Sequence, residues 1–319
     1  MTETNQCSTQ DLEFILTGFA GLHNIQHWLS IPFFLMFLVS LLGNLMVLFI
    51  ITTEQSLHEP MYYFITVLST VDLFIAITLL PQLLAVLSFG SQTLSANACM
   101  VHIFCLYFAV VMESSVLALM AFDRYIAVCN PLRYSSIITS TFILWGVLAV
   151  ALRAFCLILP LPLLLKSLPY HNKNIINNVY FEYIAVFSES CTVSSWKDIY
   201  LYLIFSLAVV PDTIIIFFSY YMIGSVTLKL RTKEARMKAF STFSSHAIVL
   251  TCFYITGPLS LVLSLVNNDM PAYLRALFSV LYISVPPTLN PLIYGIKTKE
   301  IFRLILKDLK KCKIVWFNK

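Results

Sequence analysis

Residues 29–53 read LSIPFFLMFLVSLLGNLMVLFIITT, twenty-five consecutive positions without a charged side chain. A helix needs ~20 mostly apolar residues to cross the ~30 Å hydrocarbon layer of a bilayer, so this stretch alone spans it. Six similar stretches follow. The second, from about Met61 to Phe89, holds one acid, Asp72, and the third, about Met100 to Phe122, holds only Glu113. The fourth, about Phe142 to Leu165, contains Arg153, and the fifth, about Ile199 to Leu228, contains Asp212. The sixth, Ala239 to Val266, and the seventh, Ala276 to Ile296, carry no charge. Windows of this length exclude a transmembrane β-barrel, whose strands are ~10 residues long and alternate in polarity.

Composition agrees. Of 319 residues 59 % are hydrophobic and 11 % charged, against about 25 % charged in soluble domains, and mean hydropathy is +0.84. These values exclude disorder, a coiled coil, a nucleic-acid binder and nearly every cytosolic enzyme. Eight cysteines without a CxxC pair are no disulfide scaffold or metal site. The six histidines (His23, His27, His58, His102, His171, His246) form no catalytic or metal-binding cluster, so no enzyme is expected. A transporter calls for internal repeats or broken helix pairs, and none is visible. The fold class is an all-α membrane protein, a seven-transmembrane helix bundle.

Orientation follows from the lysines and arginines, which favour cytoplasmic loops. The connections after spans three and five and the tail hold fifteen of them, among them Arg124, Arg133, Lys229, Arg236, Lys307 and Lys311. The opposite side holds four, Lys166, Lys173, Lys197 and Arg275, and residues 1–28 hold none. The expected layout is an extracellular segment 1–28, a bundle 29–296 and a cytoplasmic tail 297–319. No basic stretch precedes the first span, so no cleaved signal peptide is expected. Thr298 to Leu309 alternates bases with Ile301, Phe302, Leu304, Ile305 and Leu306 and reads as a short amphipathic helix on the inner lipid leaflet.

Short motifs sit at fixed places on this map. Span one contains Gly43-Asn44, the next turn reads Leu57-His58-Glu59-Pro60-Met61-Tyr62, and span three ends MAFDRYIAVCNPLRY over residues 120–134. Span five carries Ser219-Tyr220, span six opens KAFSTFSSH over 238–246, and span seven closes PTLNPLIY over 287–294. Together these resemble the rhodopsin-like G-protein-coupled receptors and, within them, the olfactory receptors. The Leu57–Tyr62 turn and the Trp28–Pro32 stretch are similar to the class I, or fish-like, group. The resemblance implies a plasma-membrane receptor for a small odorant. It also implies a heterotrimeric G protein of the olfactory stimulatory type as partner, with cyclic AMP downstream. A rhodopsin-like receptor for another small ligand outside the olfactory system is the alternative.

By resemblance, Asp123, Arg124, Tyr125, Tyr220, His246, Asn290, Pro291 and Tyr294 form the coupling switch. An exposed Asp123–Arg124 pair is worth ~1 kcal/mol or less and exchanges partners easily, although Arg124 can also simply snorkel. Pro291 breaks the helical ladder of span seven, and the freed carbonyls need partners, which Asn290, Asn44 and Asp72 can supply. A plain kink is the bland alternative. Asp72 and Glu113 are lone acids at mid-membrane depth, where a charge costs roughly 2.5–3.5 kcal/mol. With Asn44, Ser114 or Ser115, and Asn290 they are expected to surround a sodium ion or share a proton, unless one acid is simply protonated. No other cofactor is implied. Arg153 is either an anchor for a ligand or loop in the outer half of the bundle or, the favoured reading, the structural partner of a neighbouring helix's acid or carbonyls; Asp212 is one acid it could pair with.

The resemblance also places a ligand pocket in the outer half of the bundle. On span three it names His102, Tyr107, Phe108 and Val111. Ser206, Leu207 and Val210 are the candidates on span five, and Tyr254, Ile255 and Pro258 on span six. The outer end of span six has no base, which points to a neutral or weakly polar ligand rather than a carboxylate. In the family the outer end of span three, here Cys99, is bridged to the second external loop. The matching loop position here is Phe181, so a Cys99–Cys191 bridge is expected, with Cys7 as the rival partner. No N-x-S/T acceptor lies in the N-terminal segment, and Cys312 is a candidate palmitoylation site.

Overall fold

The structure is a computed structural model. It describes the chain apart from residues 1–6, 8–12, 20, 23–24, 171–173, 193–195, 230–231, 235, 238–245, 256–270, 299 and 308–319. Among the described residues, six helical segments are long and apolar enough to cross a bilayer. The first is α1 (Gln26–Thr53); α2 (Pro60–Thr78) and α3 (Leu80–Phe89) together form the second. They part at Leu79 because Pro81 has no N–H to offer the preceding turn. The third is α4 (Ala96–Cys129), followed by the one-turn helix α5 (Tyr134–Ile137). The fourth divides in the same way at Pro160, into α6 (Ser140–Ile158) and α7 (Pro160–Lys166). After the loop helix α8 (Tyr183–Ser188) comes the fifth, α9 (Trp196–Leu228). Of the sixth, α10 (His246–Ile255) is described, and the seventh is α11 (Ala272–Lys297). The expected segment 239–266 thus lies largely outside the described residues.

Burial ranks the helices. Within its most apolar window α4 is 67 % buried, whereas α1 and the α6–α7 pair are 28 % and 17 % buried. The 34-residue α4 is therefore the axis of the bundle and the other two lie at its rim, turning Phe34, Leu42, Trp145 and Leu152 outward. Outward apolar side chains on a membrane helix are satisfied by lipid.

Proline also decides how α1 meets α11. Pro291 leaves the Pro287 carbonyl, four residues back, without a helical donor. Asn44 Nδ2 donates to that carbonyl at 3.0 Å, and to its own Ser40 carbonyl at 2.9 Å. Gly43 makes the approach possible, since a Cβ there would lie 2.9 Å from Pro291 Cβ. Asn44 thus serves the proline break of span seven, as the sequence suggested, and makes no recorded bond to the Asp72 carboxylate.

The mouth of the bundle carries a three-stranded sheet that was not expected. Strand β1 (Glu13–Leu16) lies between β2 (Gln92–Ser95), antiparallel, and β3 (Asn174–Ile176), parallel. It pairs Phe14 with Leu94 on one side and with Asn174 on the other. Phe14 and Leu16 point inward and are fully buried, Phe14 standing edge-on to Tyr170 at 5.1 Å. At the end of β2, Ser95 Oγ accepts from Ala98 N–H and starts α4.

The disulfide differs from the expected one. Cys7 is bonded to Cys191, with Cα atoms 6.4 Å apart, and Cys99 is free. Cys191 N–H donates to the Pro169 carbonyl at 2.9 Å and Tyr170 bridges Ser190, which keeps Cys191 half-buried near the loop surface. Cys99 is fully buried at the outer end of α4, with Tyr170 beside it. The N-terminal segment that crosses the mouth is what Cys191 meets. Beyond α11, residues 300–307 are helical with Ile301 fully buried, and Lys307 reaches Glu54 at 3.7 Å. Cys312 lies outside the described residues.

Candidate functional site

Three consecutive residues of α4 organise the middle of the bundle. A helix turns ~100° per residue, so Glu113 and the two serines after it serve different neighbours: Glu113 one polar group, Ser114 and Ser115 together another. Glu113 faces α2 and α11. There Asn290 Nδ2 donates to Asp72 Oδ1 and Oδ2, at 3.2 and 3.0 Å, and lies 3.3 Å from Glu113 Oε1. All three side chains are buried. One amide group has two protons, too few to serve three carboxylate oxygens fully. Two carboxylates this close repel unless a proton or cation lies between them. Asp72, Glu113 and Asn290 are therefore brought together as expected, while Asn44 and Ser114 are not part of the group.

Ser114 belongs to a second network, around Asp212 of α9. Ser114 Oγ and Ser115 Oγ each donate to Asp212 Oδ2 at 3.0 Å. Arg153 Nη2, from α6, donates to Asp212 Oδ1 and Oδ2 at 2.8 and 2.7 Å and to Ser115 Oγ at 2.6 Å. Tyr254 of α10 shares a hydrogen bond with Ser114 Oγ at 3.0 Å. Four helices are thus tied to one buried carboxylate. The Arg153–Asp212 pair was one of the options the sequence left open for these two lone charges; that Asp212 is the hub was not foreseen.

Near the inner face, Arg124 Nε and Nη2 donate to Asp123 Oδ2 at 2.9 and 2.6 Å, and Tyr134 OH donates to Asp123 Oδ1 at 2.8 Å. The pair is not the exposed one expected. Asp123 and Arg124 side chains are 1 % and 13 % exposed, because α5 folds Tyr134 over them. Burial and the Asp123 carboxylate hold the Tyr134 phenol well above its ordinary pKa. Tyr220 OH and His246 Nδ1 lie 2.6 Å apart with their rings stacked, which joins α9 to α10. Tyr125 packs edge-on against Phe218. The Tyr294 hydroxyl is buried with no hydrogen-bond partner among the described residues.

The expected ligand set divides. His102 is buried at the mouth with Phe181 edge-on to it at 6.0 Å. The Tyr107 hydroxyl accepts from Tyr183 N–H at 3.4 Å, and Val111 is buried on the same helix. Phe108 stacks on Phe104, which stands edge-on to Phe155, so this column of rings runs toward α6. Ser206, Leu207 and Val210 are exposed on the outer side of α9, Leu207 and Val210 by about half, and Ile255 is 60 % exposed. None of these four is buried against the rest of the described bundle. Pro258 lies outside the described residues. Three side chains at the mouth were missed. Tyr180 in the loop is hydrogen-bonded to Ser279, Tyr282 follows Ser279 on α11, and Glu182 lies within electrostatic reach of Tyr107 and Tyr180. The spacing of Arg275, Ser279 and Tyr282, which puts them on one helix face, was the available signal.

The family model for olfactory receptors matches residues 33–312, nearly the whole bundle just described. The chain belongs to the olfactory receptor family. It is 38 % identical to human (Homo sapiens) olfactory receptor 52K1 over 306 residues, 96 % of this chain and 98 % of that one. Human olfactory receptor 51E1 is 37 % identical over 312 residues, 96 % of each chain. Mouse (Mus musculus) olfactory receptor 56B34 is 37 % identical over 299 residues, 94 % of this chain and 93 % of that one. Among solved structures, squid rhodopsin superposes with a TM-score of 0.71, covering 91 % of this chain and 87 % of that chain at 16 % identity; that likeness shows the seven-helix fold. The receptor is a multi-pass plasma-membrane protein without enzymatic activity, a G-protein-coupled receptor whose partners are an odorant and a G protein.

Proposed function

We propose that the receptor binds a small, neutral or weakly polar, volatile or water-borne odorant in the outer half of the bundle and activates a stimulatory, olfactory-type G protein, raising cyclic AMP. The observation that carries this reading is the double attachment of α10. Its Tyr254 is bonded to the buried Ser114–Asp212 network, and its His246 to Tyr220 near the inner end. Eight residues of helix separate the two, about 12 Å at 1.5 Å per residue. A ligand that disturbs Tyr254 from above therefore acts on the rigid element whose other end is held beside Arg124. A ligand shifts such an equilibrium only by binding the two states differently; in this reading the Tyr254–Ser114 bond is kept in the resting state and lost in the active one.

In this reading Asp123, Arg124, Tyr125, Tyr220, His246, Asn290, Pro291 and Tyr294 form the switch. Tyr294, with its unpaired hydroxyl, is a partner for Arg124 once the Asp123 pair opens. His102, Tyr107, Val111 and Tyr254 are the ligand-facing residues. Asp72, Glu113 and Asn290 hold a sodium ion or a shared proton that favours the resting state. The N-terminal segment is extracellular and the basic tail cytoplasmic, as the fifteen-to-four placement of bases supports. The Leu57–Tyr62 turn supports membership of the class I group. A cyclic-AMP reporter screened against a broad odorant panel tests the function, with Arg124→Ala as coupling control. Odorant-dependent cyclic AMP that disappears in Arg124→Ala is expected. Odorant binding without nucleotide exchange on any G protein contradicts it.

A further inference from the structure

At the mouth of the receptor one acid stands among tyrosines and forms no ion pair among the described residues. Glu182 precedes the short helix α8, yet its side chain makes no capping bond. Its recorded hydrogen bond is from Asn178 Nδ2 to Oε2, at 3.2 Å. Arg275 of α11 acts on it electrostatically, but no ion pair to Glu182 forms among the described residues. Tyr107 of α4 and Tyr180 of its own loop both lie within reach of its charge, and both are in turn close to Tyr282 of α11. A carboxylate with spare acceptor capacity beside several tyrosine rings is suited to an alkylammonium group. The carboxylate accepts its N–H bonds while the ring faces attract its charge. Tyr180 also lines a narrow, mainly apolar crevice with Leu79, Leu83, Val280 and Ile283.

Resting on the reading of the chain as an odorant receptor, we propose that Glu182 is a specificity-determining residue that selects odorants carrying a basic amine. The absence of a base at the outer end of span six points to a neutral or weakly polar ligand rather than a carboxylate; the acid at the mouth argues instead for a basic one. Burial pushes the Glu182 carboxyl up to about 7, against the opposing pull of the Asn178 hydrogen bond and Arg275. The other ionisable groups facing it are Arg275 from α11, Tyr107 from α4 and Tyr180 from its own loop. An amine response is therefore strongest above neutral pH, where the carboxylate is charged, and weakens as pH falls from 8 to 6 and the carboxylate takes up a proton.

The test uses the full-length receptor and a matched series: linear alkylamines, alcohols and carboxylic acids of equal chain length. Two readouts run in parallel, cyclic-AMP production in cells and thermal stabilisation of the purified receptor by each compound. Amines acting at about tenfold lower concentration than the matched alcohols are expected, with Glu182→Gln abolishing that advantage while leaving the alcohol responses in place. Three results overturn the proposal: amines no better than alcohols in the wild type, no binding by any amine, or a Glu182→Gln variant that weakens all classes equally. The last would mark Glu182 as a structural partner of Asn178. Amine binding that depends on Glu182 but activates no G protein would keep this proposal and refute the receptor reading instead.

Discussion

Removing the Arg153 charge isolates the energetic weight of the central network. In Arg153→Met the chain keeps its length and apolar stem, but Asp212 loses both bonds from Nη2, at 2.8 and 2.7 Å, and keeps only the two serine donors. Asp212 is 2 % exposed, so its charge has no water to fall back on. Breaking one side of a buried pair typically costs about 3–5 kcal/mol. The Arg153 side chain is 28 % exposed, which screens part of the interaction, so about 2–4 kcal/mol is the expected loss. Thermal unfolding in detergent reads the loss as a lowered midpoint. The double variant Arg153→Met/Asp212→Leu removes both charges and is expected to recover most of it, since paired removal is often neutral. A single variant as stable as wild type, or a double variant no better than the single, would refute this reasoning.

Gly43→Ala places a methyl group 2.9 Å from Pro291 Cβ and is expected to cost about 1–3 kcal/mol as α1 and α11 are forced apart, measurable in the same unfolding assay. Peptide mass mapping should recover Cys7 linked to Cys191 with Cys99 unmodified; Cys7→Ser should lower stability by about 2–4 kcal/mol, and a recovered Cys99–Cys191 peptide would overturn the connectivity. Tyr220→Phe removes the bond to His246 and is expected to raise signalling without odorant, read as ligand-independent cyclic AMP; an unchanged basal level would separate that bond from the switch. If Asp72, Glu113 and Asn290 hold sodium, replacing sodium by choline should shift the odorant dose–response of the wild type and leave Asp72→Asn unmoved.

The spans, their number and the placement of bases were legible because the bilayer imposes a length and a charge rule on every crossing. The carbonyl freed by Pro291 was legible for a similar reason, since a broken ladder in lipid must find a donor, and Asn44 is the donor it finds. Helix faces were harder to read. In α9 nearly every position is apolar, so no stripe separates the side facing lipid from the side facing the core, and Ser206, Leu207 and Val210 turned out to face outward. Glu113, Ser114 and Ser115 are adjacent in sequence, yet Glu113 joins the Asp72–Asn290 group while both serines join Asp212, a division that only packing decides. Strand β1 is four residues long and pairs with segments more than seventy residues away, too short a pattern to stand out. The Cys7–Cys191 bridge depends on that same sheet, because the N-terminal segment must first lie across the mouth.

Coupling between the mouth and the inner rim through α10 is tested most directly by distance. Spin labels on Cys129, at the inner end of α4, and on Met237, exposed before α10, report how far the two helices stand apart. With an activating odorant bound, the separation is expected to lengthen, and Tyr254→Phe, which breaks the bond to Ser114, should weaken its dependence on odorant. An odorant that raises cyclic AMP while leaving the label separation unchanged would contradict the coupling.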